Sequence, residues 1–149
     1  MATPLLPPDF KEFLRLLNEN KVEYLLVGGY AVSYYGYVRA TADMDVWIAS
    51  NADNAARAVK ALREFGFDLP ASRAELFLKP DNVARMGTPP FRIEMLTSVS
   101  GVEFADAYAE RVIDTIDGVA VSIISLRHLK LNKRASGRLK DLADLEHLP

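Results

Sequence analysis

The sequence predicts an α+β fold, a mixed β-sheet with helices packed on it, and three observations carry that prediction. Apolar residues recur with helical spacing at Phe10, Phe13, Leu14 and Leu17. Short apolar runs bounded by glycine, such as Tyr24 to Val27 before Gly28-Gly29, read as strands. Between two further apolar runs stands Asp117-Gly118, a strong hairpin signal. The resulting order is α-β-α-β-α-(β)-β-α-β-β-α.

Each element follows from local signals. Pro7-Pro8-Asp9 is a helix start, because proline is tolerated in a first turn, and the helix runs to about Asn20. The strand Tyr24 to Val27 is too uniformly apolar for a sheet edge. A short helix from Tyr30 to Tyr35 is closed by Gly36, and a turn leads into the strand Met44 to Ile48, opened by Asp43-Met44-Asp45. Ser50-Asn51-Ala52-Asp53 resembles a capping box for a helix to about Phe65, stopped by Gly66. Leu76 to Leu78 reads as a short strand and Val83 to Met86 as another. After Gly87 and Pro89-Pro90, Phe91, Ile93 and Met95 alternate with Arg92, Glu94 and Leu96, the period of a strand. Phe104 to Arg111 is helical, and Val112 to Ile116 pairs with Val119 to Ile124. The end, Ser125 to His147, is helical with an interruption at Ser136-Gly137.

The 149 residues are expected to form one domain, 1–149, with a core over 22–124 and a helical region over 125–149. A net charge of -2 gives no global attraction to nucleic acid or an anionic membrane. The absence of cysteine excludes disulfides, zinc–thiolate sites and thiol nucleophiles. The N-terminus lacks the basic and apolar regions of a signal peptide, and no stretch approaches a membrane span, so the expected location is cytoplasmic, with no membrane partner.

The chemistry concentrates between Tyr24 and Ala49. Asp43 and Asp45, two apart on a strand, point to one face. Two like charges there call for a positive partner, and a hard divalent cation takes oxygen ligands. Gly28-Gly29 at the preceding strand-to-helix turn offers bare backbone N–H groups suited to phosphate. A third acid, Glu94, lies between Ile93 and Met95. Between Arg127 and Lys140 there are six Lys/Arg and no acid, a local concentration on a chain of slight negative charge.

This constellation resembles the nucleotidyltransferase-fold superfamily, including relatives of DNA polymerase beta and the minimal nucleotidyltransferases. The shared pattern is apolar-Gly-Gly, a thirteen-residue spacer, Asp43-Met44-Asp45-Val46, and a later strand carboxylate at Glu94. Arg39-Ala-Thr41-Ala-Asp43 and the run Lys133-Arg134 to Asp144-Leu145 look like motifs of small bacterial members of abortive-infection and toxin–antitoxin type. The resemblance touches most of the chain from about residue 22 to 147. It departs in three places: Glu94 where relatives more often carry Asp, Gly29 in place of Ser, and Tyr34-Tyr35-Gly36 where a His often precedes the glycine.

The resemblance implies the nucleotidyltransferase fold and Mg²⁺-dependent transfer of a nucleoside monophosphate from an NTP, with Asp43, Asp45 and Glu94 as the catalytic, metal-holding carboxylates for two ions. It also implies nucleotide contacts by Gly28, Gly29, Arg39 and Lys133. Arg39 has an equal reading as a turn arginine, and Lys133 as a solvated helix lysine. For Thr41 a local hydroxyl bond is favoured, and for Asp141 and Asp144 salt bridging with Arg138 and Lys140 is favoured over anchoring the helix to the site. Candidate acceptors are RNA such as a tRNA 3′ end, a protein side chain or a small-molecule hydroxyl, and a toxin–antitoxin role is one setting. The alternative is a non-catalytic nucleotide- or RNA-binding module of the same fold. Oligomeric state is not legible.

Overall fold

Proline at positions 7 and 8 starts the first helix of the computed structural model, which describes residues 6–39, 41, 43–87 and 92–149. Helix α1 (Pro8–Glu19) buries Phe10, Phe13, Leu14 and Leu17 on one face, as its apolar spacing requires. Strand β1 (Tyr24–Val27) is buried along its whole length. Helix α2 (Gly28–Tyr34) begins at the glycine pair itself, two residues earlier than the sequence signal at Tyr30. Strand β2 (Asp43–Ile48) follows, then α3 (Ala52–Phe65).

Two local expectations are corrected here. The α3 cap is not a box on Ser50: Asn51 is the N-cap, and its side chain accepts from the Asn54 backbone N–H at 2.9 Å. The segment containing Leu76–Leu78 is not a strand but a 3-10 helix, Ala71–Leu78, in which Phe77 is buried at 3% exposure while Leu78 is exposed. With Leu78 exposed, the run has no two-sided apolar pattern for a sheet to cover.

The remaining elements are β3 (Val83–Met86), β4 (Arg92–Leu96), α4 (Phe104–Ala109), β5 (Val112–Ile116), β6 (Val119–Ile123), α5 (Leu126–Ser136) and α6 (Leu139–His147). The expected interruption of the terminal helix lies at Ser136-Gly137, between α5 and α6. Phe91 and the turn at Pro89-Pro90 lie outside the described residues. Asp117 and Gly118 both have positive φ, +49° and +81°, the pairing that a two-residue hairpin turn of type I′ needs.

The six strands form one mixed sheet in the order β3-β4-β2-β1-β6-β5. β1 pairs antiparallel with β2 and parallel with β6, while β2 pairs parallel with β4. One apolar cluster joins α1, β1, α2, β2 and α3 to β4 and β6. Within it Phe13 meets Phe65 edge-on at 5.2 Å, and Trp47 meets Phe104 at 5.1 Å.

A single buried amide ties α3 to the residues that flank the two central strands, Glu23 before β1 and Ala49 after β2. Asn54 Oδ1 accepts from the Glu23 N–H at 2.7 Å, and its Nδ2 donates to the carbonyls of Glu23 (3.1 Å) and Ala49 (2.9 Å). Replacing it by alanine strands these buried backbone groups. Asn54→Ala is expected to destabilise the fold by about 2–3 kcal/mol in urea unfolding, without changing nucleotide binding.

Candidate active site

Strand register builds the site. Asp45 of β2 stands opposite Glu94 of β4, and Asp43 opposite Arg92. Residues paired across a ladder share a face, so Asp43, Asp45, Arg92 and Glu94 all project to one side. Met44, Val46, Ile93 and Met95 project to the other, where they are buried in the core. The two-residue period seen in each strand therefore makes one face apolar and the other ionic. Arg85 on β3 pairs in register with Glu94 and extends the ionic row to the sheet edge.

These side chains line a cleft of about 510 Å³ that Gly28, Gly29, Arg39, Thr41, Lys133, Arg138 and Lys140 also border. Every sequence-predicted site residue, Gly28, Gly29, Arg39, Asp43, Asp45, Glu94 and Lys133, thus comes to one place. Arg85, Arg92, Arg138 and Lys140 join them, although the sequence reading assigned none of these four to the site. Arg92 carried a usable signal, since it lies two residues before Glu94 on the same strand. Arg85 carried none, because its position depends on the β3–β4 register.

The carboxylates are held differently. Arg92 Nη2 donates to Asp43 Oδ2 at 2.9 Å and lies 3.6 Å from Glu94 Oε1. Arg85 Nε donates to Glu94 Oε1 at 3.0 Å. Asp45 Oδ1 is buried and has no hydrogen-bond partner. Burial first, then the charges of Glu94 and Asp43, push the Asp45 carboxyl up to about 7, with Lys140 pulling the other way. An acid crowded by two others in a low-dielectric wall holds its proton.

Gly28 explains how Asp45 fits. Its φ is +67°, and a β-carbon there would sit 2.2 Å from Asp45 Oδ2. A side chain is excluded twice, by backbone conformation and by the carboxylate. Gly28→Ala is expected to cost about 2–4 kcal/mol of stability and to weaken Mg²⁺-dependent NTP binding at least tenfold, measured by calorimetry on the folded fraction. Gly29 is hemmed in by Thr41, whose Oγ1 would lie 2.6 Å from an added β-carbon. Thr41 Oγ1 also donates to the Asp43 carbonyl at 3.3 Å, the local bond anticipated for it.

The late helices supply a buried ionic cluster. Lys133 is only 4% exposed, with Nζ 3.2 Å from Asp141 Oδ1 and 3.1 Å from Asp144 Oδ2. Arg39 grips Asp144 with two hydrogen bonds, 2.8 and 3.0 Å, and Arg138 Nε donates to Asp141 at 2.8 Å. The expected Asp141–Arg138 pair is present, whereas the partners of Asp144 are Arg39 and Lys133 rather than Lys140. Lys133 and Arg39 are therefore neither solvated nor unengaged: they fasten α6 to α5 and to the turn before β2. Burial raises the Asp141 carboxyl, but hydrogen bonds from Arg138, Ser136 and Lys133 outweigh it and hold the group down at about 2.

Among the described residues no three carboxylate or imidazole groups already converge at ligating distance. Arginines engage two of the three acids instead. The chemistry nevertheless fits a hard cation: all three donors are carboxylates, Asp45 Oδ1 is an orphaned buried acceptor, and Gly28 has no side chain to fill the space beside Oδ2.

A family model described as a nucleotidyltransferase of unknown function (DUF6036) matches residues 9–148. The chain belongs to that nucleotidyltransferase family. The fold agrees. A candidate nucleotidyltransferase of Thermotoga maritima superposes with a TM-score of 0.63 at 13% identity, over 93% of this chain and 88% of that one. An antigenic nucleotidyltransferase-like protein of Paracoccidioides brasiliensis matches at a TM-score of 0.48 and 18% identity, over 96% of this chain and 77% of that one. A comparison with curated proteins gives no match. No described helix of this nucleotidyltransferase-family chain is long and apolar enough to cross a membrane.

Proposed function

We propose that this nucleotidyltransferase-family protein transfers a nucleoside monophosphate from an NTP to an acceptor hydroxyl in a Mg²⁺-dependent reaction. The observation that carries the reading is that Asp43, Asp45 and Glu94 share one sheet face beside Gly28. In the reaction the acceptor oxygen bonds to the α-phosphorus. The bond from that phosphorus to the bridging oxygen breaks, pyrophosphate leaves with the electron pair, and the hydroxyl proton passes to solvent.

Asp43, Asp45 and Glu94 would hold two Mg²⁺ ions, which when bound acidify the acceptor hydroxyl and neutralise charge developing on the transferring phosphate. The protein's own part is positioning. Backbone N–H groups of Gly28 and Gly29 would meet the phosphates, and Lys140 at the cleft border would balance remaining negative charge. Lys133 and Arg39 would act chiefly by holding α6 in the cleft wall, since both are committed to Asp144.

Incubation with each labelled NTP, Mg²⁺ and candidate acceptors (total RNA, protein, aminoglycoside) tests the reading. Label is expected to move to one acceptor class with wild type and not with Asp45→Ala. Failure of wild type to label any acceptor, together with no metal-dependent NTP binding, defeats it.

A further inference from the structure

Arg85 and Arg92 have no assigned part in the function proposed above, yet they line the same cleft. Their present partners are the carboxylates that this function assigns to metal: Arg92 with Asp43 and Glu94, and Arg85 with Glu94. The other cleft cations differ. Arg39, Lys133 and Arg138 pair with Asp141 and Asp144, and Lys140 borders the cleft from α6 with no ion pair to a carboxylate among the described residues. Divalent ions on Asp43 and Glu94 would take the negative charge that now faces Arg85 and Arg92. Two guanidinium groups on adjacent strands would then border a cleft already enriched in positive charge, and would be short of anions.

Their location separates them from the glycine turn. Arg85 lies on the edge strand β3 and is 59% exposed at its side chain, whereas Gly28 lies beyond Asp45 across β2. An anion held by Arg85 and Arg92 would therefore sit on the opposite side of the carboxylates from phosphates held at Gly28 and Gly29. Guanidinium groups suit phosphate through paired donors.

We infer that Arg85 and Arg92 are an acceptor-side phosphate clamp, and that the acceptor is a phosphate-bearing hydroxyl compound rather than a neutral or cationic polyol. This inference rests on the nucleotidyl-transfer reading. It adds that Arg92 and Arg85 exchange carboxylate partners for acceptor phosphate when metal binds.

The test uses the full chain with Mg²⁺ at constant ionic strength and two probes, a labelled oligoribonucleotide and a nucleoside 5′-monophosphate. Binding is read by fluorescence anisotropy or calorimetry in wild type, Arg85→Ala/Arg92→Ala and a control, Lys60→Ala/Arg63→Ala. The control removes the same charge from exposed positions on α3. The clamp variant is expected to weaken at least one probe about tenfold, and for the oligoribonucleotide to reduce the salt-dependence slope by about 1.4, two single-strand phosphate contacts. The control should match wild type. Whichever probe responds identifies the source of the phosphate.

Equal losses in clamp and control variants would overturn the inference, as would unchanged binding in the clamp variant or no binding of either probe by wild type. So would efficient labelling of an aminoglycoside by wild type and clamp variant alike. A parallel titration with a non-hydrolysable NTP separates the two levels. If wild type binds NTP with Mg²⁺ but the clamp prediction fails, only the acceptor inference falls. If wild type binds no NTP, the nucleotidyl-transfer reading falls with it.

Discussion

Asp45→Asn is expected to reduce nucleotidyl transfer to background while making the metal-free protein more stable. The two effects share one cause. Asp45 sits in a buried wall beside Glu94 and Asp43, and its carboxyl is pushed up to about 7 from the ordinary value of 3.8. The folded state then retains a proton that the unfolded chain releases at lower pH. The contribution of Asp45 to stability is therefore most favourable below pH 4, declines as pH rises through the interval from about 4 to 7, and levels above it. Near pH 8 the burden on the metal-free fold is roughly 2–4 kcal/mol. Asparagine keeps the shape and removes the charge. In thermal melts without metal, Asp45→Asn should exceed wild type clearly at pH 8 and little at pH 4. Mg²⁺ should raise the wild-type midpoint at pH 8 and leave the variant's almost unmoved. Coincident wild-type and variant melts at pH 8 would contradict the electrostatic account of this residue.

Lys133→Met should have the second large effect, on stability. Methionine fills much of the lysine's volume but leaves Asp141 and Asp144, each nearly inaccessible, without their shared cation. Removing one partner of a buried ion cluster costs more than the intact cluster contributes, because the remaining charges stay desolvated. The expected loss is about 3 kcal/mol in urea unfolding, tempered by Arg39 and Arg138, which keep their hydrogen bonds to the two aspartates. The loss should also depend on acid. The low Asp141 value stabilises the fold above pH 4, and that contribution disappears as pH falls toward 2. The difference between wild type and Lys133→Met should therefore shrink in acid. A variant as stable as wild type at pH 7 would mean that Lys133 has no structural weight and serves phosphate alone.

Much of this site was legible in the sequence because strand chemistry has a strict period. Asp43 and Asp45 had to share a face, and Ile93 and Met95 had to turn Glu94 the same way if their own face was buried. The β2–β4 register then needed only to align two patterns that already agreed. Gly28 was legible for a related reason, since a glycine pair closing an apolar strand marks a turn that needs an unusual backbone. The helical cluster was less legible. Lys133 and Asp141 are eight residues apart on two helices, and Arg39 is 105 residues from Asp144. Local spacing cannot report a pair closed by tertiary packing, so Lys133 reads on sequence as an exposed donor and folds as a buried one. The same limit hid Arg85. Its role depends on β3 pairing with β4, a fact of register rather than composition. The short 3-10 segment misled in the opposite way, because a three-residue apolar run has too few positions to distinguish one period from another.

The central claim is that Asp43, Asp45 and Glu94 form a metal-dependent nucleotide site. Calorimetric titration of a non-hydrolysable NTP into wild type and Asp45→Asn, each with and without Mg²⁺, tests it most directly. Binding should appear for wild type with Mg²⁺, fall at least tenfold without it, and be lost in Asp45→Asn although that variant remains folded. Wild-type binding of equal strength with and without Mg²⁺, or full Mg²⁺-dependent binding in Asp45→Asn, would contradict the claim.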